Sequence, residues 1–507
     1  MDFSTKKYIF SENEIIHEGT VEQMVECDIT LADYYPDIIK VLKCRVQPQI
    51  ISATITGDRV TIEGKAQIRL IYAGEDNVIR CYEHSYPFSK FFEDASISEN
   101  ANATVNTRVE YVNCRAISPR KADIRASVVL SFSIAKNRKE EFLCDATGSG
   151  IELRKETHTA SEFICCAEKN FSVGEVVEIP ANMPSLIQKI REDAVIIPGE
   201  IKIINSKLLF KAEIIVTVLY CDEENNLNLY KKTIPITQVI ELDSVDDGSD
   251  VRLMLDITCI DIQPKSDANS ENRLFDINAR VRAIAKITKD KETDVLKDAY
   301  STAYDIEICR KPIKIKKNLS LIDDTSLAKV NQEFSTSGIS KIIDVWHTNP
   351  KSKVSFNKNT ITVNNTLTLC LLYLDRDSSS AYAEREINFE YIKSVDNTEN
   401  ISFNPDLKII DMIAVVLNDN KVEIKIEYMV SGTVYASEIV NAVTDIVLKD
   451  EKKKSDLSAM TIYFPDADEK VWDIAKKYNS TVERIIEDNS LTDDVIKKRC
   501  MLMITSV

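Results

Sequence analysis

One pattern occurs three times in this chain of 507 residues, and it is the pattern of a strand. Val60, Ile62, Ala66, Ile68, Leu70 and Tyr72 alternate with Thr61, Glu63, Lys65, Gln67, Arg69 and Ile71, broken at Gly64, and a turn-forming stretch follows at 73–77. The second copy runs Leu208, Phe210, Ala212, Ile214, Val216, Val218, Tyr220 into a polar turn at 221–226, and the third runs Ile361, Val363, Asn365, Leu367, Leu369, Leu371, Tyr373 into 374–377. A period of two puts one set of side chains on one face of a pleated strand, so it predicts half-buried strands and excludes an amphipathic helix. The closing tyrosines recur at roughly 150-residue intervals, the size of a domain and not of a solenoid unit, which predicts tandem domains.

Each copy has the same surroundings. A lead precedes it at 35–42, 183–190 and 339–346, with Pro36 and Pro184 in the first two; proline followed by apolar residues around a lysine predicts a helical turn entering the domain. A returning strand follows, clearest at Tyr82, Tyr86, Phe88 and at Tyr230, Ile234, Ile236. A second long alternation then begins at Ile124, Phe275 and Val422, and each repeat ends on a tail, Asp145-Ala146 then Ile151, Asp298-Ala299 then Ile306, Asn441-Ala442 then Ile446. Strands joined by polar turns predict a mainly β, multidomain protein: three antiparallel β-sandwich or barrel-like repeats at 1–155, 156–310 and 311–448. Dense mixed charge at 449–459 predicts a linker, and 460–507 reads as a small βααβ domain.

Composition narrows the function classes. A formal charge of -17 repels nucleic acid and anionic membrane surfaces, and no apolar stretch is long enough to span a bilayer. Residues 1–10 lack the apolar core of a secretory leader, which predicts that the protein stays in the compartment where it is made. The twelve cysteines are scattered, without Cys-x-x-Cys pairs, as expected of reduced, partly buried thiols. A basic run at 310–317, Arg-Lys-Pro-Ile-Lys-Ile-Lys-Lys, reads as a solvated linker strand or as a contact for an acidic partner.

In the last domain, Val471, Ile474, Ala475 and Tyr478 share a helical face, Thr481 caps a second helix with Val482, Ile485 and Ile486, and strands at 461–464 and 501–504 flank the pair. The run Trp472-Asp473-Ile474-Ala475-Lys476-Lys477-Tyr478-Asn479, then Thr481-Val482-Glu483 and the turn 489–491, resembles a LysM domain, a family that usually binds N-acetylglucosamine-containing glycans. In that family the sugar lies between two glycine-bearing loops. Here those loops carry Asp466, Asp468, Glu469, Lys470 and Val471 on one side, and Leu491, Lys498 and Arg499 on the other. Charged side chains replace the glycines that let backbone approach a sugar, so these residues together with Trp472 are the expected contact for a protein partner.

The three long repeats resemble SPOCS domains, β-rich modules of clostridial spore-coat proteins, through the 184–190 lead, the strand ending in Tyr220 and the Asp298-Ala299 tail. Three such repeats, a charged linker and a terminal LysM-like module resemble a family of spore morphogenesis proteins. That resemblance implies a mother-cell protein at the forespore surface and spore coat, a scaffold that binds the ATPase of the coat's basal layer and recruits other coat proteins.

For an enzyme the inventory is thin. His17, His84, His158 and His347 are isolated, and no phosphate-cradling loop or Gly-x-Ser-x-Gly occurs. The acidic turn 243–248 lacks the glutamate of a calcium loop, having Met254 in its place. No catalytic residue, metal or cofactor is expected. Three readings remain: a coat scaffold, a glycan-binding protein of cortex or wall, and a wall hydrolase.

Overall fold

In the computed structural model the chain is almost entirely strand. The structure describes residues 3–505 apart from 76, 99–100, 149, 244, 247, 268–270, 335–337, 397–399, 419, 453–459 and 498–499. The first repeat comprises β1 (Ser4–Thr30), β2 (Lys40–Thr56), β3 (Arg59–Ala73), β4 (Ile79–Glu93), β5 (Ala101–Ser118) and β6 (Lys121–Thr147). The second has the same order: β7 (Ile151–Glu178), β8 (Gln188–Ile204), β9 (Lys207–Cys221), β10 (Leu227–Glu241), β11 (Asp250–Lys265) and β12 (Leu274–Ser301). The third comprises β13 (Tyr304–Glu333), β14 (Ile339–Asn357), β15 (Thr360–Asp375), β16 (Ser380–Ser394), β17 (Ile401–Phe403), β18 (Asp406–Asn418) and β19 (Lys421–Glu451). Here the strand equivalent to β5 and β11 is split at Asn404-Pro405, where proline cannot donate to the ladder.

Each repeat is two antiparallel sheets over one core. The orders are β1-β6-β5 with β2-β3-β4, β7-β12-β11 with β8-β9-β10, and β13-β19 carrying β17 and β18, with β14-β15-β16. The recurring alternation is the centre of the smaller sheet in every copy, and its inward residues, such as Val60, Ile68, Phe210, Val216, Ile361 and Leu369, are fully buried. Among the described residues no sheet closes on itself, so these are sandwiches and not barrels. Gly64 explains the break in the first copy: a Cβ there would lie 2.5 Å from Phe88 Cζ and 2.7 Å from Gln49 O. Gly64→Val is expected to cost about 1–3 kcal/mol by overpacking, read as a lower denaturant midpoint, and an unchanged midpoint refutes the account.

The leads are not helical. Residues 31–39 and 180–187 form turns, and β14 already begins at Ile339. Their backbone groups go elsewhere: the Leu186 N–H to Asn272 O at 2.9 Å and the Ile187 N–H to Cys221 O at 2.8 Å. The strand-ending tyrosines hold the proline carbonyls, Tyr72 to Pro36 at 3.2 Å and Tyr220 to Pro184 at 2.9 Å. Groups claimed by neighbouring strands cannot close helical turns.

β1, β6, β7, β12, β13 and β19 are each 27 to 31 residues long, well beyond the ordinary strand, because each serves two cores. One end covers its own repeat. The other end forms a two-stranded ribbon with the last or first strand of the repeat, and the three ribbons pack together, burying Leu143, Leu296 and Val443, and Phe142, Val295 and Val440 in an adjoining cluster. Bulges at equivalent places, near 15–17, 163–165 and 318–320, re-aim the strands between the two cores. The first two tails read from the sequence thus lie at the far ends of these paired strands, while in the third repeat Asp445-Ile446 and not Asn441-Ala442 holds that place; Ile151 opens β7, and the expected limits at 155/156 and 310/311 fall inside β7 and β13. The expected linker also begins inside a strand, since β19 runs on to Glu451; residues 453–459 lie outside the described part.

The basic run 310–317 lies in β13, with Ile313 and Ile315 buried in the core shared by the three ribbons. Two of its cations meet repeat one, Lys311 with Glu140 at 2.6 Å and Lys316 with Glu12. It is a paired strand and not a linker.

At the opposite end the three smaller sheets share a further core that includes Ile71, Leu219 and Leu372, each paired one residue before its repeat's tyrosine. Repeat one meets repeat two through Arg45–Asp193 (2.5 and 3.0 Å) and Arg69–Glu192; repeat two meets repeat three through Arg191–Asp344 (2.6 and 3.0 Å) and Lys231–Asp411. Repeat three returns to repeat one through Lys43–Glu384 and through Asn77 to Ser378 O at 3.2 Å. The three domains therefore form a closed, head-to-tail pseudo-threefold ring within one chain.

Candidate functional site

The last domain comprises β20 (Met460–Tyr463), β21 (Glu469–Lys470), α1 (Val471–Tyr478), α2 (Val482–Asp488), β22 (Val495–Ile496) and β23 (Leu502–Thr505), with β20 antiparallel to β23. Val471, Ile474, Ala475, Ile485, Ile496, Leu502 and Ile504 make its core. Asn479 ends α1 in the left-handed conformation (φ 57), a role asparagine fills well, and Thr481 Oγ1 accepts the Arg484 N–H at 3.2 Å as the cap of α2.

The candidate residues separate into three groups. Asp466, Asp468 and Lys470 are exposed; Glu469 is half-buried and accepts from the Tyr463 hydroxyl at 3.0 Å. Val471 is core, Leu491 packs against that core, and Lys498 and Arg499 lie outside the described residues. The two loops are bonded to each other, Asp468 N–H to Ile496 O and Val471 N–H to Asp494 O, both 2.8 Å, with β21 paired to β22.

Trp472 is buried at 9% exposure, and what covers it is the second repeat. Its Nε1 donates to Asp298 Oδ2 at 2.9 Å, and its ring meets Tyr300 edge-on at 5.0 Å between centroids. Lys476 reaches both Asp298 oxygens at 2.8 Å, and Arg310 pairs with the same carboxylate. Burial alone would raise the Asp298 pKa, but the hydrogen bonds from Lys476 and Trp472 and the Arg310 charge hold it below the usual carboxylate value. The Tyr300 hydroxyl donates to Ser480 O at 2.8 Å, and Asn479 Nδ2 to Thr302 O at 2.7 Å. Lys452 ties Ser301 O at 2.7 Å to Asn479 Oδ1 at 2.6 Å. The sequence reading offered Trp472 as a contact for a protein partner; here it is covered by the chain's own second repeat, through a residue 174 positions away that left no local trace.

The opposite side of the domain is bare and apolar. Met460 and Ile462 on β20 are 55% and 58% exposed, and Phe464 and Met501, just beyond the ends of the paired strands, 56% and 62%. Met503, directly across from Ile462, extends the patch. The sequence showed these residues as strand; that both strands turn an apolar face outward follows only from their pairing.

A second concavity, of about 310 Å³, lies at the ring junction between Arg45, Arg191, Asp193, Trp346, His347 and Lys408. Its cations are engaged: Arg45 and Arg191 with aspartates, Lys408 with Ile196 O at 3.1 Å and with Leu255 O. Burial lowers the His347 pKa to about 4, against the pull of Asp193. Among the described residues no group of three His, Cys, Asp or Glu side chains is arranged to hold a metal, no disulfide joins two cysteines, and no helix is long and apolar enough to cross a membrane. Of the acidic turn, 244 and 247 lie outside the described residues, Val245 is buried and Asp246 pairs with Lys289 at 2.6 Å.

A search of the curated proteins found no match. A family model described as SipL, SPOCS domain matches residues 37–117 and 186–265. Both segments run from the lead through the smaller sheet to the edge strand of the larger one, β2–β5 and β8–β11, and the same order recurs in the third repeat as β14–β18. The first two repeats of this chain are thus similar to the SPOCS domain of SipL.

Proposed function

We propose that the protein is a non-enzymatic scaffold of spore coat assembly, acting in the mother cell at the forespore surface, with its LysM-like last domain as the handle for the ATPase of the coat's basal layer. The SPOCS-domain match supports the sporulation setting, and the resemblance of the whole architecture supplies the partner. The observation that carries the reading is the exposed apolar face of Met460, Ile462, Phe464 and Met503 on a domain whose opposite side is already docked. An apolar patch left bare on a small charged module marks an interaction surface. A three-domain ring closed on itself supplies a rigid body to carry it. The glycan alternative draws no support from loops whose backbones bond to one another.

Ile462→Arg tests this directly: the side chain is 58% exposed, so the fold tolerates arginine while the patch gains a charge. Capture of the coat ATPase by the full chain is expected to fall at least about tenfold, the equivalent of about 1.4 kcal/mol. Undiminished capture refutes the assignment, and capture by insoluble peptidoglycan in its place moves the protein to the glycan-binding class.

A further inference from the structure

Trp472 and Lys476 are four residues apart on α1 and share one face of it; Asp298 and Tyr300 are two apart on β12 and share one face of the strand. The four meet as a unit. One carboxylate takes the indole N–H at 2.9 Å and the ammonium at 2.8 Å, while the tyrosine lays its ring on the indole and its hydroxyl on Ser480 O. The ring offers three tips where this domain could sit. The equivalent positions are Asp145 with Thr147 in repeat one and Asp445 with Val447 in repeat three. Both keep the aspartate; neither threonine nor valine supplies the ring and hydroxyl, and Asp145 is already held by Lys155 at 2.7 Å. Tyr300 thus distinguishes this tip from the other two, and Lys452, its N–H on Ala303 O at 2.9 Å, brings the chain to the same place.

Among the described residues of the repeats Tyr300 enters the domain's core cluster, and hydrogen bonds and ion pairs surround it. Across the same contact the charges of Glu152 and Glu483 oppose each other, and burial with the Glu483 charge raises the Glu152 pKa. We propose that the Trp472–Lys476 face is a receptor for a strand bearing an aspartate and a tyrosine two residues apart, and that the Asp298–Tyr300 tip fills it in cis. A protein partner that presents the same acid–aromatic pair then competes for the face. This rests on reading the last domain as the partner-binding module.

The test is the full chain carrying Asp298→Asn and Tyr300→Thr, which leaves the tip of repeat two without its acid–aromatic pair. A labelled peptide of residues 294–304 is expected to bind this variant at least about tenfold more tightly than it binds the wild type, and Trp472→Ala in the same variant abolishes that binding. Amide exchange over 471–480 is expected to accelerate by about tenfold or more as the domain is released. Equal binding to both chains, no binding to the opened variant, binding that survives Trp472→Ala, or unchanged exchange each overturns the proposal. None of these readouts uses the coat ATPase, so their failure and the failure of ATPase capture are told apart.

Discussion

Replacing Arg191 with methionine is expected to lower the unfolding free energy by about 3–5 kcal/mol, the largest loss for a single side chain in the ring. Arg191 is 2% exposed, makes a bidentate pair with Asp344 and a further bond to Asp193, and lies over the Trp346 ring at 5.1 Å. Removing it leaves the Asp344 carboxylate, itself 3% exposed, buried in the repeat two–repeat three interface without its guanidinium. That stranded charge, and not the attraction of the pair, is the source of the cost. The double replacement Arg191→Met with Asp344→Leu is therefore expected to recover most of the loss. Denaturant midpoints of the three variants decide it: a double variant less stable than Arg191→Met would mean that the pair itself supplies net stability.

Equivalence around the ring gives the pair a second meaning. Lys43, Arg191 and Asp344 hold the same place in the three smaller sheets, opposite Ile71, Leu219 and Leu372. Three identical domains in a closed ring would have identical interfaces and no preferred order. Here Lys43 meets Glu384, Arg191 meets Asp344, and Arg69 meets Glu192 across the remaining junction. Different charges at equivalent places make a wrong neighbour leave a buried charge unmatched, so they act on specificity more than on stability.

That ring explains what was legible in the sequence. Period-two alternation found the central strand of each smaller sheet, because one face of it packs on the repeat's own core, a local constraint. At the end of each run the alternation fails, in Leu70-Ile71-Tyr72, Val218-Leu219-Tyr220 and Leu371-Leu372-Tyr373, because there the second face is buried against the other repeats. Consecutive apolar residues at the same place in three copies were the available sign of a shared core. Ile313 and Ile315 were masked differently: four lysines and an arginine around them read as solvated, yet in a ribbon packed on two others Arg310, Lys311 and Lys316 pair with acids of the other repeats. In the last domain the helices were readable from helical spacing, and Trp472 from the resemblance of its run to a LysM domain. What Trp472 touches was not, since a contact between distant segments leaves no periodicity.

Acidification is expected to loosen the ring in two stages, the first governed by His347. Burial holds its pKa at about 4, below the ordinary 6.5, with the Arg45 and Arg191 charges adding to burial and Asp193 opposing it. The unfolded chain therefore takes up the proton first as pH falls, so stability is full above about 6.5 and declines as pH approaches about 4. A gap of this size corresponds to about 2–3 kcal/mol once partial solvent access is allowed for. Asp193 governs the second stage: burial would raise its pKa, but Arg45 and Arg191 bring it to about 2, so its contribution is present above the ordinary 3.8 and is lost as pH falls towards about 2. Urea midpoints measured from neutral pH down to pH ~2 separate the stages, because His347→Gln removes the decline above pH ~4 and leaves the one below it. If wild type and variant lose stability in parallel between neutral pH and pH ~4, the histidine is not the group responsible. The same decline is expected at the ring junction and not at the far ends of the long strands, so amide exchange should accelerate in β8 and β14 before it does in β12 and β19.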